Sequence, residues 1–320
     1  MRYTGKNFYW GRNGLKKIFL SLFVGAVALW LCACSFGENS ATPVPIFITL
    51  VPNTPTPAPT ISLAPTATPF NKKEFDKLSF DEKYPDREVS AGKSPTTGLD
   101  FDGEYHPIIM QMSTDPDAMP HWGISYADVV YEAINYVGGK TRLTCVFSDQ
   151  YPSHAGSIRS MRIHHVEIWS EWRGAFVFYG SQKEKPTQSL PYLEKLKPQI
   201  YFNGLTDTKN FFRDSSRKAP HNAYANLDDI AKQLQSLPSP ETRSFRFSDT
   251  PRTDGEAVTR FRLFYSKYYD YEYRYDASSD LYTRYYRGKV QKDGNNGATV
   301  TCANIIIQKA KLKWYNGEGD

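Results

Sequence analysis

Two short stretches of this 320-residue chain carry residue types that hold anions or move protons. The first reads His154-Ala155-Gly156-Ser157-Ile158-Arg159-Ser160-Met161-Arg162-Ile163-His164-His165. Gly156 interrupts the chain, and Ser157 can cap a helix by accepting a hydrogen bond from a free N–H of the first turn. In the helix this predicts, from about Ser157 to Trp172, Arg159 and Arg162 fall three residues apart on one face. A helix N-terminus carries roughly +0.5 charge and ordinarily attracts acidic residues. Two arginines placed there, beside free backbone N–H groups, call for an anion to complete the set. It can be a ligand or a carboxylate from elsewhere in the chain.

The second stretch runs from Phe211 to Asn222 and gathers Arg213, Asp214, Arg217, Lys218, His221 and Asn222 beside an aromatic pair. Arginine forks onto phosphate or carboxylate oxygens, and histidine passes protons near neutral pH. A solvated loop with an internal Arg–Asp pair has the same composition, so the stretch alone decides nothing. Glu132 is a third candidate. It shares a strand face with Val130 and Ile134, the face expected to be buried, and a buried carboxylate needs a partner. Arg142 on the return strand is the nearest choice, subject to parity. A two-residue turn at Gly138-Gly139 puts Arg142 opposite Asn135, away from Glu132, whereas a three-residue turn brings both to one face.

The elements that must position these residues follow from apolar patterning. Ile108 to Met112 reads as a buried strand, and Ala127–Ile134 with Thr141–Phe147 as a hairpin about the two glycines. Ile158, Met161, His165, Ile168 and Trp172 form the expected core stripe of the helix, which makes His165 a core histidine. Gly174–Gly180 is a central strand, and short helices are expected near 190–196 and 227–237. After Pro238-Ser239-Pro240 the chain turns aromatic and basic. Val258–Tyr275 reads as one strand with Tyr269, Tyr271, Tyr273 and Tyr275 on one face, and Leu281–Lys289 as its return, in an antiparallel meander. Such a tyrosine stripe either stacks on a ligand or packs against its own domain, and packing is the commoner use.

The N-terminal region addresses the chain. Arg2, Lys6, Arg12, Lys16 and Lys17 precede an apolar run from Ile18 to Ala33, shorter than the roughly 20 residues that span a bilayer. The run ends in Leu31-Cys32-Ala33-Cys34, which resembles the lipobox of bacterial lipoproteins. That resemblance implies a signal peptide over 1–33 and a lipidated Cys34 that anchors the chain to the extracytoplasmic face of the cell membrane. The formal net charge is +5; without the five basic signal residues the remainder is close to neutral, so a general nucleic-acid-binding role loses its support. Residues 34–103 are expected to be a disordered stalk and tether, rich in Thr and Pro from Thr42 to Pro69. Ile46–Val51 is a β-prone island within it, taken as linker, and the fold is expected to start near Tyr105. Cys145 and Cys302 lie in separate apolar runs and read as buried free thiols. No metal-ligand spacing, phosphate loop, dinucleotide fingerprint or nucleophile elbow occurs, so neither metal nor cofactor is expected.

Taken together, Ala127-Asp128-Val129-Val130-Tyr131-Glu132, Thr141-Arg142, Ser157-Ile158-Arg159-Ser160-Met161-Arg162 and Phe212–Asn222 are similar, in order and spacing, to the YerB-like lipoprotein family. The likeness covers about Tyr105 to Ile307. It implies an α+β protein: an N-terminal mixed α/β-layer domain over 104–238, then a small antiparallel β-rich domain over 239–320. It implies no activity, since the family is known as a domain of unknown function. Met119-Pro120-His121-Trp122-Gly123 departs from the family's Arg-Pro-Gln, and the chain stops at Asp320 before further glycine-rich strands that members carry. This leaves three functional readings. The first is a lipid-anchored envelope protein that binds an anionic ligand through Arg142, Arg159, Arg162, Arg213, Arg217 and Asn222. The second is an envelope hydrolase or transferase acting on a phosphate- or glycan-containing substrate, with His221 and Glu132 as its proton-transfer groups. The third is a scaffold in which these residues only hold the fold.

Overall fold

The computed structural model describes residues 47–50, 77, 91–136, 138–240, 242–245, 247, 255–310, 312–315 and 318–319. The expected signal peptide, the lipidated Cys34 and most of the stalk lie outside them. In chain order the strands are β1 (Phe47–Leu50), β2 (Ile108–Ser113), β3 (Val129–Tyr136), β4 (Lys140–Phe147), β5 (Ala155–Gly156), β6 (Ala175–Phe178), β7 (Tyr201–Asn203), β8 (Phe211–Arg213), β9 (Ala223–Ala225), β10 (Arg260–Ser266), β11 (Tyr269–Asp276), β12 (Leu281–Tyr286), β13 (Lys289–Val290), β14 (Thr301–Cys302), β15 (Trp314–Tyr315) and β16 (Glu318–Gly319). The helices are α1 (Ile163–Trp172), α2 (Ser189–Lys195) and α3 (Leu227–Leu234). The fold class is α+β, as the sequence suggests.

Among the described residues a mixed sheet in the order β15-β16-β3-β4-β2-β6-β7 forms the middle of three layers. Strand alternation sends Ile108, Met110, Met112, Leu143, Cys145 and Phe147 to one face, where Leu227, Ile230 and Leu234 of α3 cover them. Ile109, Val146, Phe176 and Phe178 point the other way, against Val166, Trp169 and Trp172 of α1 and Leu193 of α2. Trp169 is fully buried and its indole N–H donates to the Gly174 carbonyl at 2.7 Å. β2, β6 and β7 run parallel.

The helix starts later than its pattern predicts. Residues 157–161 are extended, because other strands claim their backbone groups. Ser113 N–H donates to Ser157 O, Arg159 N–H to Gln111 O, Ile158 N–H to Ala223 O and Met161 N–H to Gly180 O. The apparent helical spacing of Ile158 and Met161 is a coincidence, since they pack into the cores on opposite sides of the sheet. Arg162, not Ser157, is the N-cap of α1, and its N–H donates to Nδ1 of the buried His165 at 2.9 Å.

The β3–β4 connection resolves the parity question. Tyr136 faces Lys140 across a three-residue turn, which alone would put Arg142 on the side of Glu132. A bulge between Ile134 and Tyr136 then shifts the register by one, so that Arg142 faces Ala133 and points away from Glu132. The partner of Glu132 is Arg284 on β12, at 2.7 Å, with the two side chains only 10% and 6% exposed. Thr141 Oγ1 donates to the other carboxylate oxygen at 2.7 Å.

The C-terminal strands form a second sheet, β1-β10-β11-β12-β13, with β14 also paired to β12. Residues 258–275 are two strands and not one: Ser266 pairs with Tyr269 in a tight hairpin with no Gly or Pro to announce it. β1 falls in the stretch expected to be linker, yet it pairs antiparallel with β10. Ser94 and Thr96, inside the expected tether, are buried and bond to Asp149 and Ser148. Tyr265, Tyr269 and Tyr271 pack with Phe261, Leu263 and Ile134, so much of the tyrosine stripe is core. Asp293 fixes the two sheets together by accepting from the N–H groups of Gly123 (3.0 Å) and Ser125 (2.8 Å). His121, in the loop that departs from the family pattern, is neutral: burial holds it down to about 4, helped by Arg284. It joins Ser113 O to Gln291 at 2.7 and 2.9 Å. Gly139 approaches β10 so closely that a Cβ would lie 2.4 Å from the Tyr265 carbonyl oxygen, and its φ is +82°.

Candidate functional site

β2 and β6 are hydrogen-bonded partners only over Ile108–Met110 and Ala175–Val177. Beyond that point they part, and the extended segment 157–161 fills the gap between Gln111 and Tyr179. Arg159 is therefore presented at the carboxyl ends of parallel strands, the position at which open α/β sheets ordinarily take their ligands.

Several charges gather around Asp115, in the Asp115-Pro116-Asp117 loop that follows β2. Lys140 Nζ lies 2.6 Å from it, Arg159 3.9 Å and His221 Nδ1 3.8 Å. Ser113 Oγ donates to it at 2.9 Å, and the Tyr269 hydroxyl lies 3.3 Å away. Burial works against the charge of Asp115, but Lys140, Ser113 and Arg159 outweigh it and hold the carboxyl below its ordinary range. Arg142 is buried beside this group, with its guanidinium on the Ser160 carbonyl. Burial, then the like charges of Arg162 and Arg159, pull it down to about 10, still cationic at neutral pH. Arg162 donates to the Tyr136 hydroxyl at 2.8 Å. Lys140, Arg159 and Arg142 thus share the neighbourhood of Asp115.

Arg159 also lines a cavity of about 240 Å³ with Arg213, Tyr179, Ser160 and Ser181. Arg213 donates to the Asn222 side-chain oxygen at 2.6 Å and to the Tyr179 hydroxyl at 3.0 Å. The buried Nε of Arg159 has no hydrogen-bond partner. A pocket of this size with two guanidinium groups suits a small anionic moiety such as a phosphate or carboxylate.

The six sequence candidates for binding therefore separate. Arg142, Arg159 and Arg162 come together although they share no helix face, and Arg213 with Asn222 closes the cavity beside Arg159. Arg217 goes elsewhere. Its guanidinium donates to the carbonyls of Ala118 (2.7 Å) and Pro120 (2.5 Å) and stacks 3.7 Å from the Trp122 ring, where it holds the 118–122 loop. Glu132 has both oxygens engaged by Thr141 and Arg284, while His221 stands beside Asp115. Asp115, Lys140, Tyr179 and Tyr269 join the site only through tertiary contacts. The sequence signals for them are the place of Tyr269 in the tyrosine stripe and that of Lys140 at the hairpin end, two residues before Arg142. Among the described residues, no group of three or more His, Cys, Asp or Glu side chains is placed to hold a metal ion.

Similarity to known proteins extends over both sheets. A family model described as "Protein of unknown function (DUF3048) N-terminal domain" matches residues 96–240, and its C-terminal counterpart matches 261–319. A Bacillus subtilis (strain 168) protein named as a candidate lipoprotein, YerB, is 30% identical over 237 residues, which cover 71% of this chain and 70% of that protein. The crystal structure of the YerB protein from Bacillus subtilis is similar at a TM-score of 0.59 and 28% identity, over 71% of this chain and 79% of that chain.

Proposed function

The chain belongs to the DUF3048 family of lipoprotein-like proteins of unknown activity, and from that premise we propose that it binds an anionic group of the cell envelope between Arg159 and Arg213. A lipid on Cys34, exposed by removal of residues 1–33, tethers it to the extracytoplasmic face of the membrane. The lipobox and the name of the Bacillus subtilis relative support that location. The observation that carries the binding reading is the charge balance. Lys140 and Arg159 flank Asp115, and Arg142 is buried against the like charges of Arg162 and Arg159. A ligand phosphate or carboxylate in the adjoining cavity offsets that repulsion and gives the guanidinium groups of Arg159 and Arg213 an acceptor.

The test is calorimetric titration of the full-length protein, held in a neutral detergent, with a soluble glycerol-phosphate polymer. Hydrogen bonds to charged groups contribute about 1.5–3 kcal/mol, so Arg159→Gln combined with Arg213→Gln is expected to weaken binding by well over tenfold. Equal binding by wild type and the double variant contradicts the proposal.

A second reading, an envelope hydrolase or transferase, draws on one observation: His221 stands 3.8 Å from Asp115 beside the arginines, in the place of a general base with an orienting carboxylate. Glu132 serves that reading poorly, because its oxygens are committed to Thr141 and Arg284. If turnover of a phosphate-containing envelope substrate is found, His221→Ala abolishes it while leaving binding of the glycerol-phosphate polymer in place.

A further inference from the structure

The β8–β9 hairpin has a second side. Phe211 and Arg213 project toward Tyr179, while Phe212 stacks on Tyr224 and Asp214 faces His154 at 3.8 Å. On that second side lies a larger cavity, about 690 Å³, within the range of roughly 300–1,000 Å³ typical of small-molecule sites. Tyr126, Tyr151 and His154 form its aromatic walls, and Asp214, Asp228 and Asn295 its polar rim.

The walls are preorganised. The Tyr151 hydroxyl sits 3.0 Å from the His106 carbonyl and 2.8 Å from that of Ser148, which fixes the ring. The His154 ring stacks 3.8 Å from Tyr224 and 4.5 Å from Trp122, and Phe212 extends the row at 5.4 Å from Tyr224. Asn295 donates its amide N–H to the His154 carbonyl at 2.7 Å, which leaves the amide oxygen as an acceptor. Asp214 uses one oxygen on the Ser216 N–H and keeps the other toward the cavity side, near His154. The rim therefore offers acceptors.

The lining differs from that of the arginine pocket in offering acceptors in place of guanidinium groups. Two carboxylates line the cavity, with Lys232 bonded to Asp228 at 2.6 Å and Arg217 stacked on Trp122 as the nearby cations. Burial, the largest influence, holds His154 below its ordinary value and so favours the neutral ring. Such a lining gives phosphates and carboxylates less to bind than the arginine pocket does. It suits a ligand with apolar C–H faces to lay on aromatic rings and many hydroxyl or ammonium donors for the carboxylates. We propose that this cavity is a saccharide-binding site selective for uncharged or amino sugars, distinct from the anion pocket across the hairpin.

The test is titration of the full-length protein, in a detergent without sugar headgroups, with the trimers of N-acetylglucosamine and glucosamine and with an acidic trisaccharide. Binding is followed by calorimetry and by tryptophan emission, since Trp122 borders the cavity. Saturable binding of the first two is expected, with the acidic sugar at least about fivefold weaker. Asp228→Asn, a solvent-facing change at the start of α3, is expected to weaken glucosamine trimer binding by about fivefold. Tyr126→Ala weakens both trimers, whereas Arg213→Gln leaves them unchanged. The proposal is overturned if neither trimer saturates, if the acidic sugar binds best, or if Asp228→Asn and Tyr126→Ala both bind as wild type does.

Discussion

The two sides of the β8–β9 hairpin differ in nearly every respect that matters for recognition. Toward Tyr179 the strands present Arg213, and the neighbouring segment 157–161 adds Arg159, so that side is small, enclosed and cationic. The other side is larger, and combines aromatic walls with two carboxylates. Yet one run of twelve residues, Phe211–Asn222, contributes to both, Arg213 to the first and Asp214 to the second. The period of two in an extended chain sorts them: odd and even positions look in opposite directions. Neighbours in a single dense polar patch along the sequence thus serve two different environments in space.

Both sides borrow from the C-terminal sheet, which supplies Tyr269 to the Asp115 group and Asn295 to the aromatic cavity. The largest expected effect follows from this sharing. Arg284→Met leaves Glu132 buried and unpaired, at a cost of about 3–5 kcal/mol. Urea denaturation should show that loss, and both ligand classes should bind less well. Adding Glu132→Leu removes the orphan charge and is expected to recover most of the stability.

The next effects separate the two sides. Arg159→Gln and Arg213→Gln, each expected to cost about 1.5–3 kcal/mol of anion binding, should leave sugar titrations unaltered; parallel losses in both titrations would break the distinction. Asp293→Ala acts the other way. It frees the N–H groups of Gly123 and Ser125 and loosens the 293–297 turn that carries Asn295, at about 1–3 kcal/mol of stability. Sugar binding should suffer more than anion binding, as paired calorimetric titrations would reveal.

The smallest effect concerns Asp115, which competes for the same cations as a ligand. Asp115→Asn is expected to tighten anion binding a few-fold. The pH dependence has a defined sign. A carboxyl held below its ordinary value of 3.8 stabilises the fold fully above that value, and the contribution disappears as pH falls through the folded value. The stability gap between wild type and Asp115→Asn should therefore close on acidification below about 3.8 and stay constant from there up to neutrality. A gap that widens on acidification would mean that Lys140 and Arg159 do not hold the charge.

What was legible in the sequence follows the range of the forces involved. β2, the β3–β4 hairpin, β6, α2 and α3 are set by local apolar patterning, and they lie close to where that pattern puts them. α1 starts later than its pattern predicts because backbone bonds to Gln111, Ser113, Gly180 and Ala223, all remote in sequence, keep residues 157–161 extended. The partner of Glu132 was unreadable for a similar reason. A single bulge at Asn135 reverses the side on which Arg142 emerges, and the true partner is 152 residues away. The arginines of the pocket could be named from their chemistry alone. Asp115 and Lys140 could not, since an aspartate in an Asp-Pro-Asp turn and a lysine at a hairpin end are ordinary until the chain folds.

The central claim is that an anion sits between Arg159 and Arg213, and Arg217 provides an internal control. It comes from the same sequence run but is committed to the carbonyls of Ala118 and Pro120. Arginine Nε–Hε resonances of the full-length protein, assigned by single Arg→Lys variants, can be followed by NMR during titration with inorganic phosphate. The prediction is that the Arg159 and Arg213 signals shift together along one saturable curve while that of Arg217 stays in place. Equal, unsaturated drift of all three, or no movement at Arg159, would contradict it.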